Sequence, residues 1–213
     1  MTQISFAPFC NFNSAVPWGL WVSIYMWFVG ISAGSIFLTM WGNISNNPHL
    51  KAITRLGVAL SLAALSGGLL SILIDLSHIE RFYKLFLSSN PTAPMAWIVW
   101  VYNFYALILV FLLLRMKKGI PRPFFWFALI FAFAIILIES LLFAIPPGKL
   151  WHSAIFPLHF LTSSLVSAIA ALIVAVSIVR AKNEKNDLLI GLSKVAMPLI
   201  AINMAVEIMD LFL

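Results

Sequence analysis

The amino-acid sequence predicts an all-α membrane protein with about six transmembrane helices. Of its 213 residues, 62% are hydrophobic and only 9% are charged, and the mean hydropathy is +1.03. A water-soluble domain of this size carries many more charges. The apolar residues also fall into long runs, and a helix of about 20 residues is enough to cross roughly 30 Å of hydrocarbon.

Six apolar runs have this length, and proline, asparagine and basic residues separate them, as expected because irregular backbone is kept out of lipid. The predicted spans 1 to 6 are residues 18–41, 55–77, 95–115, 123–145, 154–180 and 188–213. The first 50 residues contain no Lys, Arg, Asp or Glu, so a basic signal-peptide start is missing. We therefore expect span 1 to remain in the mature protein.

The basic residues predict the orientation of the chain. Nine Lys and Arg residues lie in the connections after spans 1, 3 and 5, and three lie in the connections after spans 2 and 4. By the positive-inside rule, both termini and the connections after spans 2 and 4 face outward. This distribution explains the formal net charge of +6 by membrane topology rather than by a nucleic-acid partner.

Spans 1 and 2 carry patterns typical of close helix packing. Small and polar residues recur on span 2 at Gly57, Ser61, Ala64, Gly68, Ser71, Asp75 and His78, at alternating intervals of four and three. Aromatic residues recur on span 1 at Trp18, Trp21, Tyr25 and Phe28. We expect the stripe on span 2 to face protein and to meet Gly30 and Gly34 of span 1. The aromatic residues could face a ligand or form an interfacial belt.

Asp75 and His78 end the stripe at the predicted outer face. An ionised carboxylate near hydrocarbon costs several kcal/mol unless it is paired or functional. The two residues, one turn apart, could exchange protons with a bound redox molecule, or Asp75 could form an interfacial ion pair with Arg81 or Lys149. Residues 79–87, IERFYKLFL, predict a short amphipathic helix in the interface.

Two carboxylates lie deeper. Glu139 in span 4 and Glu207 in span 6 are each about six residues, or roughly 9 Å, from the predicted outer end. Acids inside a membrane are candidates for function. Asn203, Glu207 and Asp210 form a polar stripe on span 6, which is either a candidate proton path or a packing surface for other helices.

Cysteine and histidine usage argues against bound metal. With Cys10 as its only cysteine, the chain can form neither an internal disulfide nor a four-thiolate iron–sulfur site. A membrane b-type cytochrome needs paired histidines inside the bundle, and only His159 lies within a predicted span. A single haem held by His159 with His152 or His78 is the less favoured alternative. We predict no haem and no metal in this chain, so any cluster belongs to a partner.

Two functional classes are compatible with these residues. One is a redox subunit that exchanges protons and electrons with a membrane-soluble carrier. The alternative is a proton- or cation-coupled transporter or channel lined by Asp75, Glu139 and Glu207. Transporters often contain repeated halves with helices broken at the midplane, and the sequence shows no convincing repeat.

Three segments point to a family. They are PWGLWVSIYMWFVGISAGS at 17–35, IDLSHIERFYKLFLSSNPTAPMAW at 74–97 and GKLWHSAIFPLHFLTSSLVSA at 148–168. In this order they resemble the NrfD/PsrC family of polysulfide-reductase-type membrane anchors. The resemblance implies a haem-free integral subunit of a prokaryotic cytoplasmic membrane that binds a quinone, expected to be menaquinone, near the outer face. It also implies a ferredoxin-like iron–sulfur subunit outside, and beyond it a molybdopterin enzyme, a multihaem cytochrome or a hydrogenase.

The resemblance also implies a division of the chain and a set of site residues. Residues 1–147 correspond to a four-helix quinone-binding bundle, and 148–213 to the start of a second bundle. Relatives usually have eight or more spans, so either the sequence is a fragment or its second bundle is incomplete. The family's acidic residue after span 2 corresponds to Asp75, and its tryptophan–histidine pair to Trp151 and His152. The motif before span 3 corresponds to Asn90, Pro91, Pro94 and Met95.

The predicted site serves quinone chemistry. Its residues are Trp21, Tyr25, Asp75, His78, Glu139, Trp151 and His152. Conversion between quinone and quinol moves two electrons and two protons, so the ring oxygens need hydrogen-bond partners and a proton relay. Many relatives have arginine where this chain has Lys149. The lysine keeps the positive charge but lacks the planar guanidinium group, which can donate two parallel hydrogen bonds.

Overall fold

The computed structural model describes residues 20–75, 94–116, 122–144, 155–179 and 182–211. These residues form seven α-helices and no β-strand. Six of the helices are long and apolar enough to cross a membrane. The prediction of an all-α membrane protein with six spans is therefore confirmed, and the chain is a multi-pass membrane protein. Its orientation in the bilayer stays a prediction.

The six spans correspond closely to the predicted ones. The helices are α1 (Leu20–Ile44), α2 (Pro48–Ala52), α3 (Thr54–Asp75), α4 (Pro94–Arg115), α5 (Arg122–Ala144), α6 (Phe156–Val179) and α7 (Lys182–Leu211). The short helix α2 was not predicted. It begins after Asn47, whose side-chain oxygen accepts the backbone N–H groups of His49 and Leu50 at 3.1 and 3.3 Å. Pro48 suits the first helical turn because its missing N–H is not needed there.

Helices α1 and α3 pack through the stripe of small residues. The buried members on α3 are Gly57, Ser61, Ala64, Gly68 and Ser71. A Cβ atom added at Gly68 would lie 3.3 Å from Cβ of Phe28 and 3.4 Å from the backbone oxygen of Tyr25, so the two helices approach each other closely here. The prediction that this stripe faces protein is confirmed for these five residues. Asp75 ends α3, and its side chain and the whole of His78 lie outside the described residues.

The glycine pair of α1 has a different partner from the one expected. A Cβ atom at Gly34 would lie 2.5 Å from the backbone oxygen of Ser164 and 2.7 Å from Cβ of Ala168, both on α6. A Cβ atom at Gly30 would lie 2.9 Å from Oγ of Ser164. The pair therefore packs against α6 and not against α3. The reason is that α1 lies at the centre of the bundle, in contact with α3, α5 and α6 on different sides.

The helices run alternately in the two directions and define two ends of the bundle. We call the end that holds α2 the basic end, because Lys51, Arg55 and Arg115 lie there. The opposite end holds the start of α1 and the end of α5, and it is the predicted outer side. Because α6 packs directly on α1, the units 1–147 and 148–213 share an interface, and their division stays a prediction.

Candidate functional site

A buried carboxyl group marks the opposite end of the bundle. Glu139 of α5 has no solvent-exposed surface. Its Oε1 atom accepts hydrogen bonds from the hydroxyl of Tyr25 on α1 and from the hydroxyl of Tyr102 on α4, the latter at 2.5 Å. The two hydroxyl oxygens lie 2.8 Å apart. Three helices thus contribute one side chain each to what we call the carboxyl cluster: Tyr25, Tyr102 and Glu139.

Helix positions explain why Tyr25 and Glu139 meet. Tyr25 is five residues after the start of α1 and Glu139 is five residues before the end of α5, so both lie about 7.5 Å inside the opposite end. The rings of Tyr25 and Tyr102 pack edge to face, with centroids 6.3 Å apart. Buried tyrosine hydroxyls need hydrogen-bond partners, and the carboxyl oxygen supplies one for both.

The second carboxyl oxygen has no such partner. Oε2 of Glu139 is buried and makes no hydrogen bond to any residue that the structure describes. Leaving a buried acceptor unpaired costs about 1–3 kcal/mol, more when the group is charged. The position therefore suits a water molecule, a ligand hydroxyl or a transferable proton. The two phenols fix Oε1, and Oε2 remains open to proton exchange.

A second polar cluster lies closer to the basic end. The hydroxyl oxygens of Ser32, Ser61 and Tyr105 contact one another, with Ser32 and Ser61 separated by 2.9 Å and Ser61 and Tyr105 by 3.0 Å. The Tyr105 hydroxyl also donates to the backbone oxygen of Ser32 at 3.2 Å. Each of the three hydroxyl groups makes a hydrogen bond, so this serine cluster joins α1, α3 and α4 and leaves none of its hydroxyls unpaired. Such interhelical bonds contribute about 0.6 kcal/mol each.

A family model described as "Polysulphide reductase, NrfD" matches residues 10–213. The chain belongs to the NrfD family. The resemblance drawn from the three sequence segments is thereby confirmed, and the match extends through all six spans.

Two curated proteins illustrate the family relationship. This NrfD-family chain is 36% identical over 93 residues to a selenate reductase subunit of Mesobacillus selenatarsenatis, and the matched region covers 44% of the chain and 22% of that protein. It is 26% identical over 165 residues to the Hdr-like menaquinol oxidoreductase integral membrane subunit of Archaeoglobus fulgidus, a match that covers 76% of the chain and 42% of that protein. The chain thus spans less than half the length of either relative.

The structure of the NrfD-family chain brings two of the predicted site residues together. Tyr25 and Glu139 meet in the carboxyl cluster. Trp21 lies one turn before Tyr25 and is 40% exposed, at the surface of the bundle. The remaining predictions, which are the Asp75 side chain, His78, Trp151 and His152, fall outside the described residues. The functional role of the whole set stays a prediction.

Tyr102 was not predicted as a site residue. It lies in the segment WVYNFYAL of α4, where aromatic residues are frequent and Trp97, Trp100 and Phe104 are exposed on the surface of the bundle. The one feature of the sequence that could have identified Tyr102 was its hydroxyl group, because a tyrosine inside a span needs a hydrogen-bond partner for that hydroxyl. Tyr102 is only 5% exposed, so it faces the interior.

The predicted polar stripe on span 6, which is helix α7, forms a hydrogen-bond network with helix α6. Asn203 Nδ2 donates to Oε1 of Glu207 at 2.8 Å, and the Thr162 hydroxyl donates to Oδ1 of Asn203 at 2.9 Å. Nε2 of His159 lies 3.4 Å from the same Glu207 oxygen. The side chain of Glu207 is 54% exposed, in contrast to the buried Glu139. The use of Asn203, Glu207 and Asp210 as a proton path stays a prediction.

Proposed function

We propose that this chain is a haem-free membrane anchor subunit of a respiratory oxidoreductase, and that it exchanges electrons between a membrane quinone and an iron–sulfur partner at the outer face. The carboxyl cluster is the observation that carries the proposal. It offers a buried acid with one oxygen held by two phenols and the other unpaired among the described residues. Membership of the NrfD family and similarity to a menaquinol oxidoreductase subunit support a quinone, with menaquinone as the proposed species.

The cluster suits the proton side of quinone chemistry. Each quinone accepts two electrons and two protons on reduction to quinol, and the reverse step releases them. Glu139 would accept or deliver one proton at Oε2 while Tyr25 and Tyr102 hold Oε1 in place. General acid–base help of this kind contributes about 10²- to 10⁴-fold to a rate. Electrons pass to or from the partner's cluster, because the chain itself is proposed to hold no metal.

The remaining predicted residues complete the proposal at the outer side. Asp75 and His78 would exchange protons between the carboxyl cluster and outer water. Trp21, Trp151 and His152 would line the approach of the quinone ring. The proposed partner is a ferredoxin-like subunit, followed by a molybdopterin enzyme, a multihaem cytochrome or a hydrogenase, and the proposed location is a prokaryotic cytoplasmic membrane.

Two tyrosines one turn apart on α4 provide a matched test. Tyr102→Phe removes a donor from Glu139, and we expect quinol-linked turnover of the purified complex to fall at least about 10-fold, because the acid loses one of the two groups that hold it. Tyr105→Phe removes a hydroxyl of similar burial from the serine cluster. It should keep turnover within about twofold and lower stability by about 1 kcal/mol.

Turnover is measured with a soluble menaquinol analogue, and stability by thermal unfolding in detergent. Equal loss of turnover in both variants would show that the effect comes from packing and would contradict the assignment. Wild-type turnover in Tyr102→Phe would contradict it as well.

A further inference from the structure

A recess opens at the basic end of the bundle, far from the carboxyl cluster. Its volume is about 340 Å³, within the range of about 300–1,000 Å³ typical of small-molecule sites. Its lining comes from α1, α2, α3 and α5 and from Met116, which follows α4. The residues that matter for its chemistry are Asn43, Lys51, Thr54, Arg55, Met116 and Phe125.

One part of the lining is cationic and hydrogen-bonding. Lys51 of α2 and Arg55 of α3 are both exposed. Beside them, Asn43 Nδ2 donates to the Thr54 hydroxyl at 2.6 Å and to the backbone oxygen of Thr39 at 2.7 Å, which fixes this wall. No carboxylate occurs among the described residues that line the recess. The site therefore favours an anion.

The other part of the lining is apolar. Met116 follows the end of α4 and Phe125 lies in the first turn of α5, and both are partly buried. Next to them, Phe111 and Phe124 stack with ring centroids 4.5 Å apart, and the guanidinium of Arg115 lies 5.8 Å from the Phe111 ring. A ligand that fits both parts carries a negative group and a hydrocarbon portion together.

We propose that this recess binds the headgroup of an anionic phospholipid. The phosphate would lie between Lys51 and Arg55, and the first carbons of an acyl chain would lie against Met116 and Phe125. Arginine and lysine both bind phosphate oxygens, and basic recesses between helices at the cytoplasmic side of membrane proteins bind anionic lipids. The recess lies where the helices end, which in a bilayer would be the depth of the headgroups, so a lipid would reach it without leaving the membrane.

The test measures lipid binding to the full chain and needs no redox partner. The protein is purified in detergent, and binding of phosphatidylglycerol and phosphatidylcholine is compared by native mass spectrometry. We expect phosphatidylglycerol to bind more tightly, with a loss of about fivefold in apparent affinity for each cation removed in Lys51→Gln and Arg55→Gln. Lys194→Gln is the matched control, because this exposed lysine of α7 lies outside the recess.

The same experiment identifies other outcomes. Binding that is equal for the two lipids, or unchanged in the Lys51→Gln/Arg55→Gln double variant, would overturn the proposal. Inorganic phosphate is the second probe: if it displaces phosphatidylglycerol completely at millimolar concentration, the site is one for a free anion and the lipid assignment is wrong. Equal losses in Lys194→Gln and Arg55→Gln would show a general effect of net charge, which also contradicts it.

Discussion

Glu139→Gln is expected to lower quinol-linked turnover of the assembled complex by at least about 100-fold. Glutamine has nearly the same shape and can still accept the two tyrosine hydrogen bonds at its oxygen, but it cannot take up or release a proton. The expected loss corresponds to the lower end of the range for general acid–base catalysis. Turnover with a menaquinol analogue and retention of the partner subunits during purification are measured together.

Ser140→Ala is the matched control for this variant. Ser140 is the next residue on α5 and is equally buried, and its hydroxyl donates to the backbone oxygen of Leu137, at 2.9 Å. Ser140→Ala should therefore keep turnover near the wild-type value. Wild-type turnover in Glu139→Gln with an intact complex would show that the buried carboxyl exchanges no proton during the reaction.

Gly34→Ala should destabilise the bundle by about 2 kcal/mol. The added Cβ would lie 2.5 Å from the backbone oxygen of Ser164 and 2.7 Å from Cβ of Ala168. A backbone atom cannot turn aside as a flexible side chain can, so α1 and α6 must separate along their contact. Overpacking typically costs about 1–3 kcal/mol, and a contact with a backbone atom lies at the upper end of this range. Alanine's better helix propensity returns about 1 kcal/mol, which leaves the net loss of about 2 kcal/mol.

Gly67→Ala provides the comparison, because it makes the same chemical change on α3. Its Cβ would lie 3.6 Å from the ring atoms of Phe28, an ordinary van der Waals distance. Gly67→Ala should therefore leave stability unchanged or raise it slightly. The free energy of unfolding of both variants is measured by titration with a denaturing detergent, and equal effects would contradict the close approach of α1 to α6.

The architecture was predictable because bilayer thickness imposes strong rules. Long apolar runs predicted the six spans, and intervals of four and three residues predicted the buried face of α3. The helix α2 escaped prediction because five residues after Asn47 show no periodicity. The partner of Gly30 and Gly34 was predicted wrongly for another reason. A small-residue pair shows that some helix comes close, but the arrangement of α3, α5 and α6 around α1 decides which one.

The candidate site was predictable in part. Glu139 was predictable because it lies deep inside a span, where an acidic residue is unfavourable unless it is paired or functional. Tyr25 was predictable because it is the one residue with a hydroxyl group among the aromatic residues that recur on span 1. Tyr102 lies among aromatic residues that are mostly exposed on the bundle surface, so its hydroxyl was the only distinguishing feature. No pattern in the residues indicates that both hydroxyls donate to the same carboxyl oxygen, because that requires α1, α4 and α5 to meet at one depth.

The two polar clusters differ in a way that bears on function. The serine cluster satisfies its own hydroxyls, so it needs no further group and is explained by helix association. The carboxyl cluster keeps a buried oxygen unpaired among the described residues. A buried acceptor without a hydrogen bond is energetically unfavourable, and it is typical of a site where a ligand or a proton completes the hydrogen bonding.

Photoaffinity labelling with an azido-menaquinone analogue tests the central claim most directly. The complex is labelled in its native membrane, and labelled peptides of this chain are identified by mass spectrometry, with and without excess unlabelled menaquinol. The proposed site predicts label near Tyr25 on α1 or near Glu139 on α5, and predicts that menaquinol removes it. Label confined to α6 and α7 around Glu207, or label that menaquinol does not displace, would show that the quinone does not bind at the carboxyl cluster.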